Sequence, residues 1–162
     1  MRADTLILLS TALMLGSCGS STVDSGPASE QAVEQEQPAE EIRDETHRFH
    51  KDGLVAANVV PSNLCGKDFM PGGNFAEYDK DGKKFQVCFT LRRNADAAMF
   101  LSMDYRDALS EQKFVPHFGG FYGMDGETPT LIFQKNKYLV VITGLELDDA
   151  DQAGRMIAGY LN

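Results

Sequence analysis

The three histidines of this 162-residue chain are its clearest candidates for metal or acid–base chemistry. His47 and His50 stand three positions apart, and on a helix this spacing puts both imidazoles near one face, as a metal pair requires. Two histidines leave half of a tetrahedral shell empty, and no cysteine or suitably spaced acid completes it. We therefore expect no metal site and interpret both residues as solvated. His117 is expected to be a hydrogen-bonded surface or boundary residue.

Motifs of the common reaction classes are absent from the sequence, which has no GxSxG, no phosphate-binding loop and no HExxH. Asp104, Asp107 and Glu111 share one face of a predicted helix, where we interpret them as a solvated surface. Carboxylates alone support no reaction class without a cleft and a shifted pKa. The sequence therefore predicts a protein that is not an enzyme, with no catalytic residues and no cofactor.

The most unusual stretch of the chain is Phe118–Gly126, in which four glycines are interleaved with aromatic residues. Backbone without side chains lets a ligand or peptide approach closely and stack on the rings. The same composition suits bends and bulges in a strongly twisted strand pair, which is the interpretation we favour. The candidate surface for a ligand or partner consists of Phe118, Gly119, Gly120, Phe121, Tyr122 and Gly123.

An apolar run near the N-terminus sets the expected location of the protein. Leu6–Leu15 is ten residues long, well short of the roughly 20 that cross a bilayer, and Arg2 precedes it. The run closes on four residues that resemble the lipobox of bacterial lipoprotein precursors: Leu15, Gly16, Ser17 and Cys18. The resemblance implies a signal peptide of residues 1–17 and a lipid on Cys18, whose acyl chains hold the protein on a membrane without a spanning helix.

The residue after the lipidated cysteine bears on which membrane receives the protein. In Gram-negative lipoproteins an Asp at that position tends to retain the protein in the inner membrane, and this chain has Gly19. The resemblance therefore implies a cell-envelope protein on the outer membrane, facing the periplasm.

Residues 18–50 are predicted to be the lipidated cysteine followed by an acidic, disordered linker. Ser, Glu, Gln, Pro and Ala dominate the segment, so it cannot bury enough apolar area to offset the entropy of ordering it. Residues 19–50 hold eight acids and two bases, which accounts for most of the formal net charge of −9. A chain without clustered Lys and Arg is not expected to bind nucleic acid.

The two remaining cysteines are expected to form a disulfide. With Cys18 lipidated, Cys65 and Cys88 are an even pair in an oxidising compartment. Cys88 falls on the polar positions of an alternating strand, so the bond is predicted to pin the loop Ser62–Asn74 across the outer face of the sheet. A reactive or metal-binding thiol pair is the alternative, but the chain has no CxxC and no evident histidine partner.

Residues 51–162 are predicted to be one α+β domain, a two-layer sandwich of an antiparallel sheet with two helices on one face. Leu54–Val60 is apolar, but its length leaves strand or helix undecided, and Ser62–Asn74 is predicted to be a loop. Period-two alternation and turn residues predict five further strands, at residues 75–78, 84–92, 113–118, 130–134 and 137–143.

Apolar residues at helical spacing predict the two helices. The first is capped by Asn94 or Asp96 and runs to about Leu109, and the second starts at Asp148. Three further residues of the first helix are predicted to widen its core-facing stripe: Met99, Phe100 and Met103. No family is assigned to the domain from its sequence.

Two functions from different classes follow from these patterns. The first is a lipid-anchored, non-enzymatic envelope module that binds a protein partner or small ligand through the glycine-aromatic segment and a sheet edge. The alternative is a small envelope enzyme or metal-handling protein that uses His117, His47 or His50.

Overall fold

The structure is a computed structural model, and it describes residues 41–162. The predicted signal peptide, Cys18 and most of the predicted linker lie outside the described residues. Seven strands and two α-helices follow in chain order. The elements are β1 Leu54–Ser62, β2 Pro71–Lys80, β3 Lys83–Leu91, α1 Ala95–Asp107, β4 Ser110–Val115, β5 Gly120–Asp125, β6 Thr128–Lys135, β7 Tyr138–Thr143 and α2 Leu147–Tyr160.

The strands form one antiparallel sheet in the order β1-β2-β3-β7-β6-β5-β4. Two meanders, β1-β2-β3 and β4-β5-β6-β7, meet where β3 pairs with β7. The predicted α+β class with an antiparallel sheet and two helices is therefore confirmed. The undecided segment Leu54–Val60 is a strand, and the predicted loop Ser62–Asn74 is shorter than expected, since β2 begins at Pro71.

Two tight turns fix the register of the hairpins. Asp81 and Gly82 take φ of 53° and 76° between β2 and β3, and Asn136 takes φ of 53° between β6 and β7. Positive φ at these positions matches the right-handed twist of the strands, and Gly, Asn and Asp tolerate it best. Both predicted hairpins are present, and the turn chemistry in the sequence explains them.

The two helices lie on opposite faces of the sheet, which corrects the prediction of two helices on one face. Leu101 and Tyr105 of α1 pack in a core with Ile132 and Val141. Ile157 of α2 packs in a second core built on alternate residues of the same strands, including Leu131 and Ile142. An amphipathic stripe shows that a helix covers a sheet, but not which face it covers.

The face of β3 that carries Cys88 is buried. The alternation of apolar and polar residues along the strand predicted that this face would be the outer one, and that prediction is wrong. Cys88 packs in the α1 core beside Leu64 and Leu139. Thr90 is also buried, and its hydroxyl donates to the Gly72 carbonyl at 2.9 Å. The α1 side of the sheet therefore accepts small polar side chains whose hydrogen bonds are satisfied internally.

The outer surface of α1 is more apolar than predicted. The Asn94 side chain caps the helix by accepting from the Ala97 amide at 2.8 Å, as expected. Met99, Phe100 and Met103 were predicted to be core residues, but all three side chains are exposed. They lie on the side of the helix opposite Leu101 and Tyr105, which already fill the contact with the sheet.

The folded domain begins before residue 51. A short 3-10 helix covers Thr46–Arg48, and Phe49 is a core residue with its ring 4.8 Å from that of Phe89. Tyr78 donates a hydrogen bond to the His50 carbonyl at 3.0 Å. The predicted linker boundary at residue 50 is therefore too late, because a single aromatic residue in a polar segment supplies the anchor.

Candidate functional site

The strand β1 forms one edge of the sheet and is long, apolar and uncharged. Its only strand neighbour is β2 within the described residues. It spans nine residues, and none of the residues from Gly53 to Gly66 carries a charge. Residues 55–59 are all exposed, with Val55 at 65%. Backbone N–H and C=O groups on the outer side of such a strand are a template for pairing with another strand.

The opposite edge strand, β4, has features that discourage such pairing. It is six residues long and carries Glu111 and Lys113. Its register with β5 shifts between Ser110 and Lys113, and Glu111 takes φ of 51° inside the irregularity. Charged side chains, short length and a bulge are the usual means by which edge strands avoid association. β1 has a register shift of its own between Leu54 and Ala56 and carries Pro61 near its end, but it pairs in continuous register with β2 from Ala56 onward and has no charged residue. In the described domain it is therefore the less protected of the two edges.

A cleft of about 500 Å³ opens beside the start of β1. Val55 lines it together with Tyr78 and Phe85, and charged groups are present on its wall. The charged and polar members are Glu77, Asp79, Lys84, Gln86, Thr128 and Thr143. When a peptide adds to a sheet edge, the backbone supplies affinity and neighbouring pockets for alternate side chains supply specificity. The exposed edge of β1 and the cleft beside Val55 together provide a strand for backbone pairing and a pocket for a side chain.

The glycine-aromatic segment does not present a single surface. Phe118 stacks on Phe133 with ring centroids 4.4 Å apart, and Tyr122 is 8% exposed in the same core. Phe121 points to the other face, with its ring 5.5 Å from Phe114. The candidate surface Phe118, Gly119, Gly120, Phe121, Tyr122 and Gly123 is thus divided between the two faces of β5 and the turn before it.

Two of the glycines in this segment are required by close packing. A Cβ on Gly120 would lie 2.2 Å from the Ile132 carbonyl oxygen, and one on Gly123 would lie 2.6 Å from the Ser110 carbonyl oxygen. Neither distance is available to a real side chain. These glycines therefore let β5 run between β4 and β6, which agrees with the favoured structural interpretation of the segment.

Cys65 and Cys88 are joined as the sequence predicted, with their Cα atoms 6.2 Å apart. Cys65 lies in the connection between β1 and β2, and Cys88 lies in the buried face of β3. The bond therefore ties the connection that follows the edge strand to β3, the last strand of the first meander. It does so on the face that α1 covers, which differs from the outer face expected from the sequence.

The connection that carries Cys65 is also fixed by a polar cluster. Lys67 pairs with Asp125 at 2.5 Å between Nζ and Oδ1, and the Tyr105 hydroxyl donates to the other Asp125 oxygen at 3.4 Å. Phe69 contacts the Tyr105 ring edge-on at 5.7 Å. Burial, reinforced by the Asp125 charge, raises the pKa of the Tyr105 phenol. The cluster holds the connection on α1 and on the β5–β6 turn.

The histidines are in separate places. His50 accepts a hydrogen bond from the Asp52 amide at 3.1 Å, and His47 is exposed. His117 lies in the turn between β4 and β5 and pairs with Asp151 of α2, which also pairs with Arg155 at 2.8 Å. The Arg155 guanidinium, more than the imidazole, holds the pKa of the Asp151 carboxyl below its usual value. No group of three or more metal-ligand side chains occurs in residues 41–162.

Comparison with protein families, with curated proteins and with solved structures found no match to this chain. Among the residues that the structure describes, no helix is both long and apolar enough to span a bilayer.

Proposed function

We propose that this chain is a lipid-anchored, non-enzymatic module of the bacterial cell envelope that binds a protein partner at the β1 edge. The observation that carries the binding role is the long, uncharged and exposed edge strand β1, in contrast to the short, charged strand β4 at the opposite edge of the sheet. The lipobox resemblance of Leu15 to Cys18 supports the anchor, and Gly19 supports the outer membrane, facing the periplasm. The Cys65–Cys88 bond is compatible with an oxidising compartment.

The partner proposed for β1 is an extended segment of another protein. Antiparallel or parallel addition would satisfy the outer backbone groups of β1, and one side chain of the segment would enter the cleft beside Val55. A segment with small or aliphatic side chains suits the row of Val and Ala residues in the strand. A second copy of the chain is the competing occupant of this edge, and the identity of the crosslinked product described below distinguishes it from another protein.

The anchor is tested by mass spectrometry of the protein isolated from its own host. The expected result is a chain that begins at Cys18, with a diacylglyceryl group on the sulfur. An intact signal peptide, or an unmodified thiol at Cys18, would contradict the anchor. The variant Cys18→Ser serves as the control, since it should be recovered without lipid.

The binding edge is tested with a photo-crosslinking residue at Asn58 in β1, compared with the same residue at Lys113 in β4. We expect one defined heterologous crosslink from position 58 in the native envelope and none from position 113. Val59→Lys should reduce the yield at least tenfold, because a charge would be placed in the new strand pair. The matched variant Phe114→Lys on β4 should leave the yield unchanged.

Two outcomes would contradict the β1 proposal. Equal crosslinking from positions 58 and 113 would show that the contact is not specific to β1. A crosslinked product containing two copies of this chain would assign the edge to self-association instead. Circular dichroism and thermal unfolding of each variant would show whether a lost crosslink reflects a lost fold.

A further inference from the structure

A row of paired residues crosses the sheet from the β1 edge into the cleft beside Val55. In the register of the strands, Ala56 of β1 lies opposite Glu77 of β2, and Glu77 lies opposite Gln86 of β3. Gln86 in turn lies opposite Thr143 of β7. Side chains at paired positions of neighbouring strands share one face of the sheet. Glu77 and Gln86 are exposed, so α1 does not cover this part of the face, and both residues line the cleft together with Thr143.

Glu77 is the carboxylate of this row, and its charge is not compensated in the folded domain. Within residues 41–162 its side chain forms no ion pair and no hydrogen bond, and its direct neighbours, Ala56 and Gln86, are both uncharged. Asp79 lies on the same face two positions along β2, but it faces Lys84 in the register with β3. The charged side chains that line the cleft therefore leave one negative charge in excess.

The small side chain of Ala56 leaves the path from the sheet edge to Glu77 open. Neighbouring strands lie about 4.8 Å apart, so the residue opposite Ala56 on an added strand would have its Cα about 10 Å from that of Glu77. The stem of Lys or Arg, about three or four methylene groups long, lies along apolar surface and carries the charge away from its own strand. A cation at that position of an added strand therefore reaches the Glu77 carboxylate across the Ala56 methyl group.

The rest of β1 offers no equivalent contact. From residue 57 to residue 60, every paired residue of β2 is uncharged: Ala76, Phe75, Asn74 and Gly73. A cation in an added segment thus meets an uncompensated carboxylate at the Ala56 end of the strand. Because a shift by one residue moves a side chain to the other face of a sheet, this contact fixes the register of the segment as well as its identity.

We propose that the extended segment that pairs with β1 carries a Lys or Arg opposite Ala56, and that Glu77 selects it. The inference rests on the proposed pairing at β1 and adds the chemistry of the partner. Backbone pairing supplies affinity along the Val and Ala residues of the strand, and the charged contact distinguishes one segment from another. A second copy that pairs through its own β1 does not supply this cation, because no residue from Gly53 to Gly66 is charged.

The test uses the full chain in its native envelope, with the photo-crosslinking residue at Asn58, and sequences the crosslinked segment by mass spectrometry. Residues opposite Asn58 and opposite Ala56 lie two positions apart on an added strand of either direction. We therefore expect a Lys or Arg two positions from the crosslinked residue. Glu77→Gln should lower the yield of this product about three- to fivefold. Glu111→Gln removes one exposed carboxylate from β4 and should leave the yield unchanged.

A charge exchange separates specific recognition from a general effect of charge. Glu77→Lys should lower the yield about tenfold, because it places two cations together across Ala56. Replacing the Lys or Arg of the partner by Glu in the same cells should restore the product. Thermal unfolding of the purified Glu77 variants should match that of the original chain, since the side chain is exposed.

The failure of this inference is distinguishable from the failure of the pairing at β1. A heterologous product from position 58 whose segment has no cation two positions away, or whose yield is the same in Glu77→Gln, would overturn the inference and leave the pairing in place. Absence of any heterologous product from position 58 in the otherwise unaltered chain would remove both.

Discussion

The two edge strands of the sheet differ in length and in charge. β1 presents nine uncharged residues in a row, whereas β4 is six residues long, bulged, and carries Glu111 and Lys113. Both strands flank the same sheet and experience the same risk of unwanted pairing. The two edges are therefore protected to different degrees, and this difference is what supports the proposal that a partner pairs with β1.

The two edges are also supported by different means. The β1 side depends on a segment that precedes the strand and on the Cys65–Cys88 bond that follows it. The β4 side depends on close glycine packing in β5 and on the contact of His117 with α2. Each support can be removed separately by substitution, and the expected losses of stability differ in size.

The largest effect is expected from Phe49→Ala. Phe49 is 1% exposed in the core beneath the first meander, so its loss leaves a cavity as well as lost burial. The unfolding free energy should fall by about 3–5 kcal/mol. Phe100→Ala removes the same ring from a position that is 60% exposed and should change stability by no more than about 0.5 kcal/mol. Urea unfolding measures both, and equal effects would place residues 41–50 outside the core.

Removing the disulfide should have the next largest effect. In Cys65→Ser/Cys88→Ser the unfolded chain gains the entropy of a loop closed across 23 positions, a change of about 3 kcal/mol. We also expect hydrogen exchange to accelerate more in β1 and the following connection than in β4, because only the β1 side is tied by the bond. Equal acceleration at both edges would contradict this division.

Gly120→Ala tests the support of the β4 side. The added methyl group would meet the Ile132 carbonyl and the Phe133 Cβ, and the strand pair would have to separate. The expected loss is about 1–3 kcal/mol. The control is Gly159→Ala in α2, where a Cβ meets nothing within 4 Å and the helix gains intrinsic propensity. A neutral Gly120→Ala, measured by thermal unfolding, would show that β5 is not tightly packed.

The smallest effect concerns acid pH and Asp151. The folded protein holds the pKa of this carboxyl below its ordinary value of 3.8, mainly through Arg155. The ionised Asp151 carboxylate therefore stabilises the folded protein at pH values above 3.8. This stabilisation is lost as the pH falls below 3.8 toward the lower pKa of the folded state. Asp151→Asn should lose less stability than the original chain between pH 6 and pH 3, by no more than about 1 kcal/mol. Identical pH profiles would exclude a contribution from the pair.

Much of the fold was predictable because local chemistry specifies it. The Asp81-Gly82 turn, the Asn94 cap and the alternation of β3 each depend on a few neighbouring residues. The even number of cysteines left after Cys18 sufficed to pair Cys65 with Cys88. These features involve short sequence separations or a single choice of partner.

The features that the sequence did not reveal depend on tertiary packing. The alternation of Gln86, Cys88 and Thr90 suggested solvent, but α1 covers most of that face, and only contacts across the sheet show it. Phe49 is buried in the core against Phe89 of the sheet. The polar residues around it in the sequence do not indicate this contact. The β1 edge depends on strand order, since β1 and β4 become the two edges only after the two meanders join through β3 and β7.

The central position of β7 allows the global stability of the protein to be measured by hydrogen exchange under native conditions. Leu139, Val140, Val141 and Ile142 are fully buried between two strands and two helices. Their amides can reach deuterium only when the whole domain opens, so their exchange rates report the global free energy of unfolding. A hydrogen-exchange time course of the native protein, recorded without denaturant, would then give the opening free energy of every other segment relative to β7, from the edge strands to the centre of the sheet.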